Sequence, residues 1–396
     1  MSKNNIPHSY LSEWFDNPLC KLPPVYREYG YSWPDRILPD NYARMWIKQN
    51  ISNTTLPYIA IAILNVLCFD GSTRLLVGRG IDPDPDYALL KARAEAVERV
   101  SAFCRPAEEI HFALPKELKG HIHSAILNLL DLHHETNNPR WWISCHNRID
   151  GSPSFLPLEF VQIESLATVK NPLVFADSTG MAVHSVYEKA IQNGFYEALE
   201  RAILKDIWQN GLPSVHIANT DIIDNDLSLY IEQLGASIWF SHINLEDNYH
   251  FYLALFLGDG IDSPALITGN GVNSSNQQAK NHAVSELYGQ LIHAFEIWPT
   301  FIPDEKPKLD SGFKANMMKN VADKTLIQLK FYDSCKKNIY SYNHYNETNK
   351  VTDDCLIINR STPLSELLGF HSVQCIIPTN LPFCWSEGIK NLHPFS

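Results

Sequence analysis

Two stretches of the chain repeat the pattern Glu-x-x-Glu-Arg, at residues 95–99 and 197–201. Within a helix, spacings of three and four residues place such side chains on one face. A single copy is usually a solvated, salt-bridged face. Two copies that meet in one crevice gather four glutamates, whose mutual repulsion calls for cations. Mg²⁺ suits this role because it bridges carboxylates to nucleotide phosphates, so the pattern is typical of phosphoryl transfer.

The helices that carry these carboxylates belong to an internal repeat. Each of three units reads as a strand, a glycine turn and a capped helix. A third helix presents His282, Glu286 and Gln290 on the matching face, and Gly289 occupies the place of a second glutamate. The distance from the turn glycine to the first glutamate is 15, 17 and 15 residues, for the pairs Gly80 and Glu95, Gly180 and Glu197, and Gly271 and Glu286.

Basic side chains close to these patterns can balance the charge of nucleotide phosphates. They are Arg79, Lys91, Arg99 and Arg201. Lys91 can reach a phosphate or pair with Glu95, and the sequence leaves both options open. The chain contains neither the P-loop pattern nor the protein-kinase signatures, so a different kind of nucleotide site is expected.

Local patterns predict an α/β fold built from repeated strand–glycine turn–helix units around a central crevice. Segment 1–55 is expected to be irregular, and residues 56–396 to form the main domain. Asp84 is a predicted helix cap and Ser185 begins a predicted capping box. Predicted helices cover 85–103, about 188–208 and 276–295, and predicted strands cover 56–69, 173–176, 250–257, 265–268, 356–359 and 373–377.

Composition excludes several classes of function. The net charge of −12 argues against nucleic-acid binding and against a membrane-surface role. None of the eight cysteines forms a Cys-x-x-Cys pair, which disfavours structural zinc. The N-terminus resembles no signal peptide, and the longest apolar run is too short to span a bilayer. A cytoplasmic protein is therefore expected.

Taken together, the motif blocks resemble the YcaO family, over nearly all of the chain from about residue 56. The first block runs from Gly78-Arg79-Gly80 to Glu95-Ala-Val-Glu98-Arg99, and the second from Ser178-Thr-Gly180 to Glu197-Ala-Leu-Glu200-Arg201. The third block runs from Gly269-Asn-Gly271 to Gln290, and Ile376-Ile-Pro378-Thr-Asn-Leu resembles the family's closing strand. The terminal His393-Pro394-Phe395 favours the azoline-forming branch, whose members often end in a Pro-x-Pro-x-Pro tail.

This resemblance implies a site for ATP and Mg²⁺. Lys91 stands where the family usually has Ser, and His282 where it usually has Arg. The C-terminal carboxylate, here that of Ser396, is the implied proton acceptor. The implied metal ligands are Glu95, Glu98, Glu197 and Glu200, and the implied nucleotide contacts are Ser178, Asn193, Arg201, Glu286 and Gln290, with Arg79, Lys91 and His282 as further candidates.

The resemblance also implies a reaction and its partners. The expected enzyme is an ATP-dependent cyclodehydratase that closes Cys and Ser residues of a ribosomal precursor peptide to thiazolines and oxazolines. An E1-like leader-binding protein and a flavin-dependent azoline dehydrogenase are the implied partners in such an antibiotic-making synthetase. Formation of thioamides or amidines by the same activation stays open, as does a non-catalytic peptide-binding scaffold. A repeat-built binding protein of another kind is disfavoured, because units about 100 residues apart are too long for a solenoid.

Overall fold

The structure is a computed structural model, and its chain divides into two compact units. The larger unit comprises residues 27–205 and 343–391, and the other contains residues 206–342 with both termini. The described residues are 26–31, 43–50, 58–67, 73–103, 110–163, 176–210, 216–217, 236–245, 249–258, 266–297 and 355–378. The predicted division at residue 55 stays a prediction.

The larger unit contains two sheets and the two helices that carry Glu-x-x-Glu-Arg. The first sheet has the order β1-β2-β3-β4 and is antiparallel from β2 to β4. The second has the order β5-β6-β13-β14-β8, with β7 paired to β6. The helices and strands of these two sheets and their surroundings are β1 Tyr26–Tyr31, β2 Ala43–Asn50, β3 Tyr58–Leu67, β4 Thr73–Asp82, α1 Pro85–Phe103, β5 Ile110–Ala113, α2 Ser124–Leu132, β6 Arg140–Asn147, β7 Pro153–Pro157, β8 Met181–His184, α3 Tyr187–Asn210, β13 Leu356–Asn359, α5 Pro363–Leu367 and β14 His371–Ile376.

Helix α1 packs closely on β3 and β4 because glycine removes the side chain at the contact. A Cβ atom on Gly80 would lie 1.9 Å from the carbonyl oxygen of Ala88, and one on Gly78 would lie 2.2 Å from that of Ala92. Both glycines lie inside β4, paired with β3. The predicted turn at residues 78–80 is therefore wrong: these glycines allow close helix packing and do not reverse the chain.

The smaller unit repeats this packing 191 residues further along the chain. A Cβ atom on Gly269 would lie 2.3 Å from the carbonyl oxygen of Ala283, and one on Gly271 would lie 2.3 Å from that of Ala279. The predicted turn at residues 269–271 is wrong for the same reason. The elements are β9 His216–Ile217, β10 Ser237–Asn244, β11 His250–Leu257, β12 Leu266–Asn273 and α4 Asn276–Ile297, with sheet order β12-β11-β10-β9.

The middle unit of the predicted repeat is built differently. Gly180 has a positive φ of 73°, so here the glycine does form a turn. The described strand, β8, follows this turn, whereas residues 173–175 of the predicted preceding strand lie outside the described residues. Three predicted units are thus two matching hairpin–helix units and one strand–helix unit of another design.

Several elements escaped the sequence analysis. Strands β1 and β2 lie in segment 1–55, which was expected to be irregular. Between residues 105 and 150, where no element was predicted, the chain forms β5, α2 and β6. Residues Ile126 and Leu130 of α2 are fully buried in a core shared with Trp142 and Leu156. That core covers one part of the second sheet.

The C-terminal end of α1 is held by a buried arginine from a distant part of the chain. Arg360 is 0% exposed, and its Nη2 donates to the carbonyl oxygens of Ser101 at 2.7 Å and Ala102 at 3.1 Å. The last carbonyls of a helix lack partners within the helix, so this side chain caps it. The anchored helix carries Glu95 and Glu98.

Candidate nucleotide and metal site

Helix α1 begins at a well-formed cap that fixes the register of its charged face. Asp84 Oδ1 accepts hydrogen bonds from the backbone N–H groups of Asp86 at 2.8 Å and Tyr87 at 3.3 Å. The predicted cap and both helix boundaries are confirmed. Every fourth residue along the helix, from Ala88 to Ala92 to Ala96, is fully buried against the sheet, and Glu95 and Glu98 are partly buried beside this stripe.

Glu95 is tied to its surroundings through both carboxylate oxygens. Its Oε2 accepts the backbone N–H of Arg79 at 2.9 Å, and its Oε1 accepts Nη2 of Arg99 at 2.7 Å and Nε at 3.2 Å. The N–H of Arg79 lies in the Gly-x-Gly segment of β4. Glu95 therefore fastens its helix to the strand beneath, a role that the sequence analysis did not foresee.

Helix α3 carries the second carboxylate pair in a looser arrangement. Arg201 Nε lies 4.0 Å from Glu197 Oε1, and the Glu197 side chain retains 26% exposure. Glu200 lies one turn further along and is partly buried. The ion pair within the helix is therefore longer at Glu197 than at Glu95, where Arg99 lies at 2.7 Å.

The carboxylates of α1 and α3 lie close enough to influence each other. Burial, followed by the charge of Glu95, raises the pKa of Glu98 from 4.5 to about 8, against the opposing effect of Arg99. Burial, followed by the charge of Glu98, raises the pKa of Glu197 well above its ordinary range, against the effect of Arg201. The charges on the two Glu-x-x-Glu-Arg helices therefore act on each other, since Glu98 acts on Glu197 and Glu197 acts on Arg99, and like charges favour protonation.

A turn before β8 adds a further carboxylate. Asp177 Oδ1 accepts the backbone N–H of Thr179 at 2.8 Å, which orders the turn that carries the exposed Ser178. The charge of Asp177 also contributes to the raised pKa of Glu197. Sequence reasoning named Ser178 and missed Asp177, although the residue directly precedes the second motif block. Asn193 lies exposed on α3, one turn before Glu197.

Lys91 pairs with Asp82, whereas the sequence suggested Glu95 as its protein partner. Its Nζ lies 2.8 Å from Asp82 Oδ2 and donates to the carbonyl oxygen of Ile81 at 3.1 Å. It therefore pairs with the end of β4 and not with Glu95. The ammonium group is half exposed, so a contact with nucleotide stays a prediction.

The smaller unit holds the remaining predicted contacts on one helix. The backbone N–H of Asn270 donates to Glu286 Oε2 at 2.6 Å, which repeats the Arg79–Glu95 bond 191 residues later. His282 and Gln290 are exposed on either side of Glu286 along α4. Their contact with nucleotide stays a prediction, and Ser396 lies outside the described residues.

The residues around Glu98 and Glu197 fit a divalent cation that binds together with phosphate. Within the described parts of the chain, no three His, Cys, Asp or Glu side chains already surround a common point. Mg²⁺ rarely uses such an all-protein cage, since one or two carboxylates with waters and phosphates complete its shell. The raised pKa values of Glu98 and Glu197 mean that each carboxyl group favours a bound proton. A cation in the place of a proton would reduce the repulsion between the ionised carboxylates.

Acidic helix faces flanked by arginines fit an enzyme that binds nucleotide together with a divalent cation. Within that class the family is clear, since a model of the family described as YcaO cyclodehydratase, ATP- and Mg²⁺-binding, matches residues 77–379. This match covers more than half of the chain, so the chain belongs to the YcaO family. ATP and Mg²⁺ are the ligands of that family. The expected family, α/β fold and cofactors are confirmed, while the role of each residue stays a prediction.

Solved structures share this fold at low sequence identity. A chain of the E. coli microcin synthetase McbBCD complex with pro-MccB17 bound is 16% identical, with 89% of this chain and 91% of that chain covered and a TM-score of 0.65. YcaO from Methanopyrus kandleri bound with AMPPCP and Mg²⁺ is 14% identical, with 81% and 83% covered and a TM-score of 0.54. A heterocyclase in complex with substrate and cofactor is 15% identical with a TM-score of 0.58; 90% of this chain is covered, and it spans 50% of that chain.

A search of curated protein sequences returned no match. Among the described helices, none has the length and apolar character needed to cross a bilayer.

Proposed function

We propose that this protein is an ATP-dependent cyclodehydratase that acts on a ribosomal precursor peptide. It phosphorylates a backbone amide oxygen, so that Cys and Ser side chains close to thiazolines and oxazolines. The observation that carries this proposal is the electrostatic link between Glu98 and Glu197, which lie on two separate Glu-x-x-Glu-Arg helices and both have a raised pKa. Membership of the YcaO family supports the use of ATP at this site.

The proposed reaction balances without any external oxidant. The thiol or hydroxyl of the peptide adds to the preceding carbonyl carbon and loses its proton. The resulting oxyanion attacks the γ-phosphorus of ATP, and ADP leaves. The C–O bond to phosphate then breaks, the amide nitrogen loses its proton, and a C=N bond forms. An amide oxygen is a poor leaving group, and phosphorylation makes it a good one.

The chain's own residues would position the nucleotide and balance its charge. Arg99 and Arg201 lie beside the carboxylates and can donate to phosphate oxygens. Glu98, Glu197 and Glu200 are the proposed anchors for Mg²⁺, which supplies charge neutralisation to the phosphates. Catalysis of this kind depends mainly on holding the reacting groups in line. Glu95, whose oxygens already hold Arg79 and Arg99, is better suited to orient the helix.

The proposed setting is a multi-protein synthetase that makes an azole-containing peptide antibiotic. The structural likeness to a chain of the McbBCD complex supports this setting at the level of the fold. Proposed partners are an E1-like protein that binds the leader peptide and a flavin-dependent dehydrogenase that oxidises azolines. A cytoplasmic location follows from the proposed substrate and its partners.

The test is peptide-dependent release of ADP, combined with mass spectrometry of the peptide. We expect ADP release with a candidate precursor and an E1-like partner, together with loss of water from the peptide. Glu197→Gln and Glu200→Gln should abolish both signals while the fold remains intact. Exchange of oxygen for sulfur would instead indicate thioamide formation. Failure of the wild-type protein to bind ATP with Mg²⁺ would favour a non-catalytic scaffold.

A further inference from the structure

Gln374 is a fully buried amide in the middle of the second sheet. It lies on β14, where it pairs with Met181 of β8 on one side and with Ile358 of β13 on the other. Its exposure is 0%. An amide at such a position needs hydrogen-bond partners, because a buried polar group without them is unfavourable.

One end of this amide holds the turn that carries Ser178. Gln374 Nε2 donates to the carbonyl oxygen of Thr179 at 3.1 Å. The next residue of β14 continues the attachment, since the backbone N–H of Cys375 donates to the carbonyl oxygen of Gly180 at 2.8 Å. Two successive carbonyls of the turn are thus fastened to one strand.

The attachment leaves the turn no room to shift toward β14 or α3. A Cβ atom on Gly180 would lie 1.9 Å from the carbonyl oxygen of Cys375. On the side of α3, a Cβ atom on Gly194 would lie 2.7 Å from the carbonyl oxygen of Gly180. Gly194 directly follows Asn193, so the turn approaches the helix next to a predicted nucleotide-binding residue. Close packing of this kind transmits small displacements.

The backbone N–H and carbonyl groups of Thr179 also help to fix the position of Asp177 and Ser178. Its N–H is bonded to Asp177, whose charge reaches Glu197, and its carbonyl is bonded to Gln374. The side chain of Ser178 lies between these two attachments and is exposed. The other end of the amide, Gln374 Oε1, is buried without a hydrogen-bond partner among the described residues. Only the bond to Thr179 therefore accounts for the amide at this position.

We propose that Gln374 is a positioning residue of the nucleotide site, which acts by holding the Asp177–Gly180 turn at the distance where Ser178 meets nucleotide. This inference rests on the proposed function, because it assigns the turn to the ATP site. Gln374 itself touches no substrate. Its effect should appear in the affinity for nucleotide and not in the affinity for peptide.

The experiment measures MgATP binding to the full chain by calorimetry, with thermal unfolding of each variant. Gln374→Met keeps the length of the side chain and removes the donor, and Gln374→Asn keeps the amide but shortens its reach. Ser372→Ala is the matched control, because Ser372 is 0% exposed two residues earlier on the same strand and face, and its Oγ has no partner among the described residues. The loss of one neutral hydrogen bond corresponds to a decrease in affinity of about three- to tenfold.

We expect both Gln374 variants to bind MgATP about three- to tenfold more weakly and Ser372→Ala to bind like wild type. In turnover assays, the KM for ATP should rise while the KM for peptide stays constant. Wild-type affinity in both Gln374 variants would overturn the assignment and leave the proposed function standing. An equal loss in Ser372→Ala, or unfolding of both Gln374 variants, would also overturn it, since the role would then be structural. Absence of MgATP binding in the wild-type protein would overturn both proposals.

Discussion

Replacing Glu98 by glutamine should make the free protein more stable and, at the same time, a poorer binder of MgATP. The substitution keeps the size of the side chain and removes a carboxyl group whose ionised form is disfavoured by burial and by the charge of Glu95. Active-site charges that repel each other in the absence of ligand reduce stability, and their removal relieves this repulsion. An ordinary structural glutamate would show the opposite behaviour.

The magnitude follows from the pKa of Glu98. A carboxyl group that titrates at about 8 in the folded protein and at 4.5 elsewhere destabilises the fold by at most about 4 kcal/mol at pH 7.5. Glu98 is partly exposed and its charge acts on Glu197, so a smaller gain of about 1–2 kcal/mol is expected. For a unit of this size, the gain corresponds to a rise in Tm of about 3–6 °C.

The assay is thermal unfolding of wild type and Glu98→Gln across a pH series, with and without MgATP. Well below pH 4.5 the carboxyl is protonated in both the folded and the unfolded state, so the two proteins should have the same Tm there. The advantage of Glu98→Gln should grow as the pH rises from about 4.5 to about 8 and should level off above that pH. The affinity of the variant for MgATP should be lower than that of the wild type by about tenfold. The exposed Glu188→Gln in the first turn of α3 is the control, and it should lower stability by about 0.3–1 kcal/mol.

A Glu98→Gln protein with a lower Tm, or with an advantage that does not depend on pH, would refute this reasoning. Unchanged MgATP affinity together with a raised Tm would refute the metal-site role alone. The two results are separable because stability is measured without ligand.

Three further predictions concern the same fold. The wild-type protein should lose stability as the pH rises from about 4.5 to about 8, because the raised pKa of Glu98 means that the folded state holds a proton which the unfolded state has already lost. Added Mg²⁺ with ATP should flatten this dependence in thermal scans. Gly78→Ala and Gly269→Ala should each destabilise by roughly 3 kcal/mol in urea unfolding, since the new methyl group meets helix backbone in both units; wild-type stability in either would contradict the close packing. Glu286→Ala should destabilise by about 2 kcal/mol through loss of the acceptor for the Asn270 N–H, whereas Glu286→Gln, which keeps an acceptor oxygen, should restore most of it.

The sequence allowed accurate prediction wherever a local rule decides the structure. Helix α1 begins and ends where Asp84, Pro85 and the apolar spacing place it. Strand β11 was predicted to the residue. The Gly-x-Gly segments were misread as turns because glycine serves both turns and close packing, and only the helix that packs on β4 or β12 distinguishes the two.

The candidate site was predictable in its residue types and less so in its contacts. The repeat of Glu-x-x-Glu-Arg foretold two acidic faces, and the meeting of Glu98 with Glu197 is a tertiary fact that spacing alone does not decide. Glu95 resembled its neighbours in sequence, yet it fastens the helix to the N–H of Arg79. Asp177 gave no signal of its own, because a carboxylate in a turn is common without any function.

The capping of α1 by Arg360 has a consequence for how the protein is made. Ribosomes release the chain from its N-terminus, so α1 emerges about 260 residues before the arginine that completes its last turn. Strand β8 likewise waits for β14 as its partner. We expect a nascent chain that stops short of residue 360 to hold the acidic helices without their final support. Ligand binding should therefore begin only after the segment from Arg360 to the end of β14 has been translated.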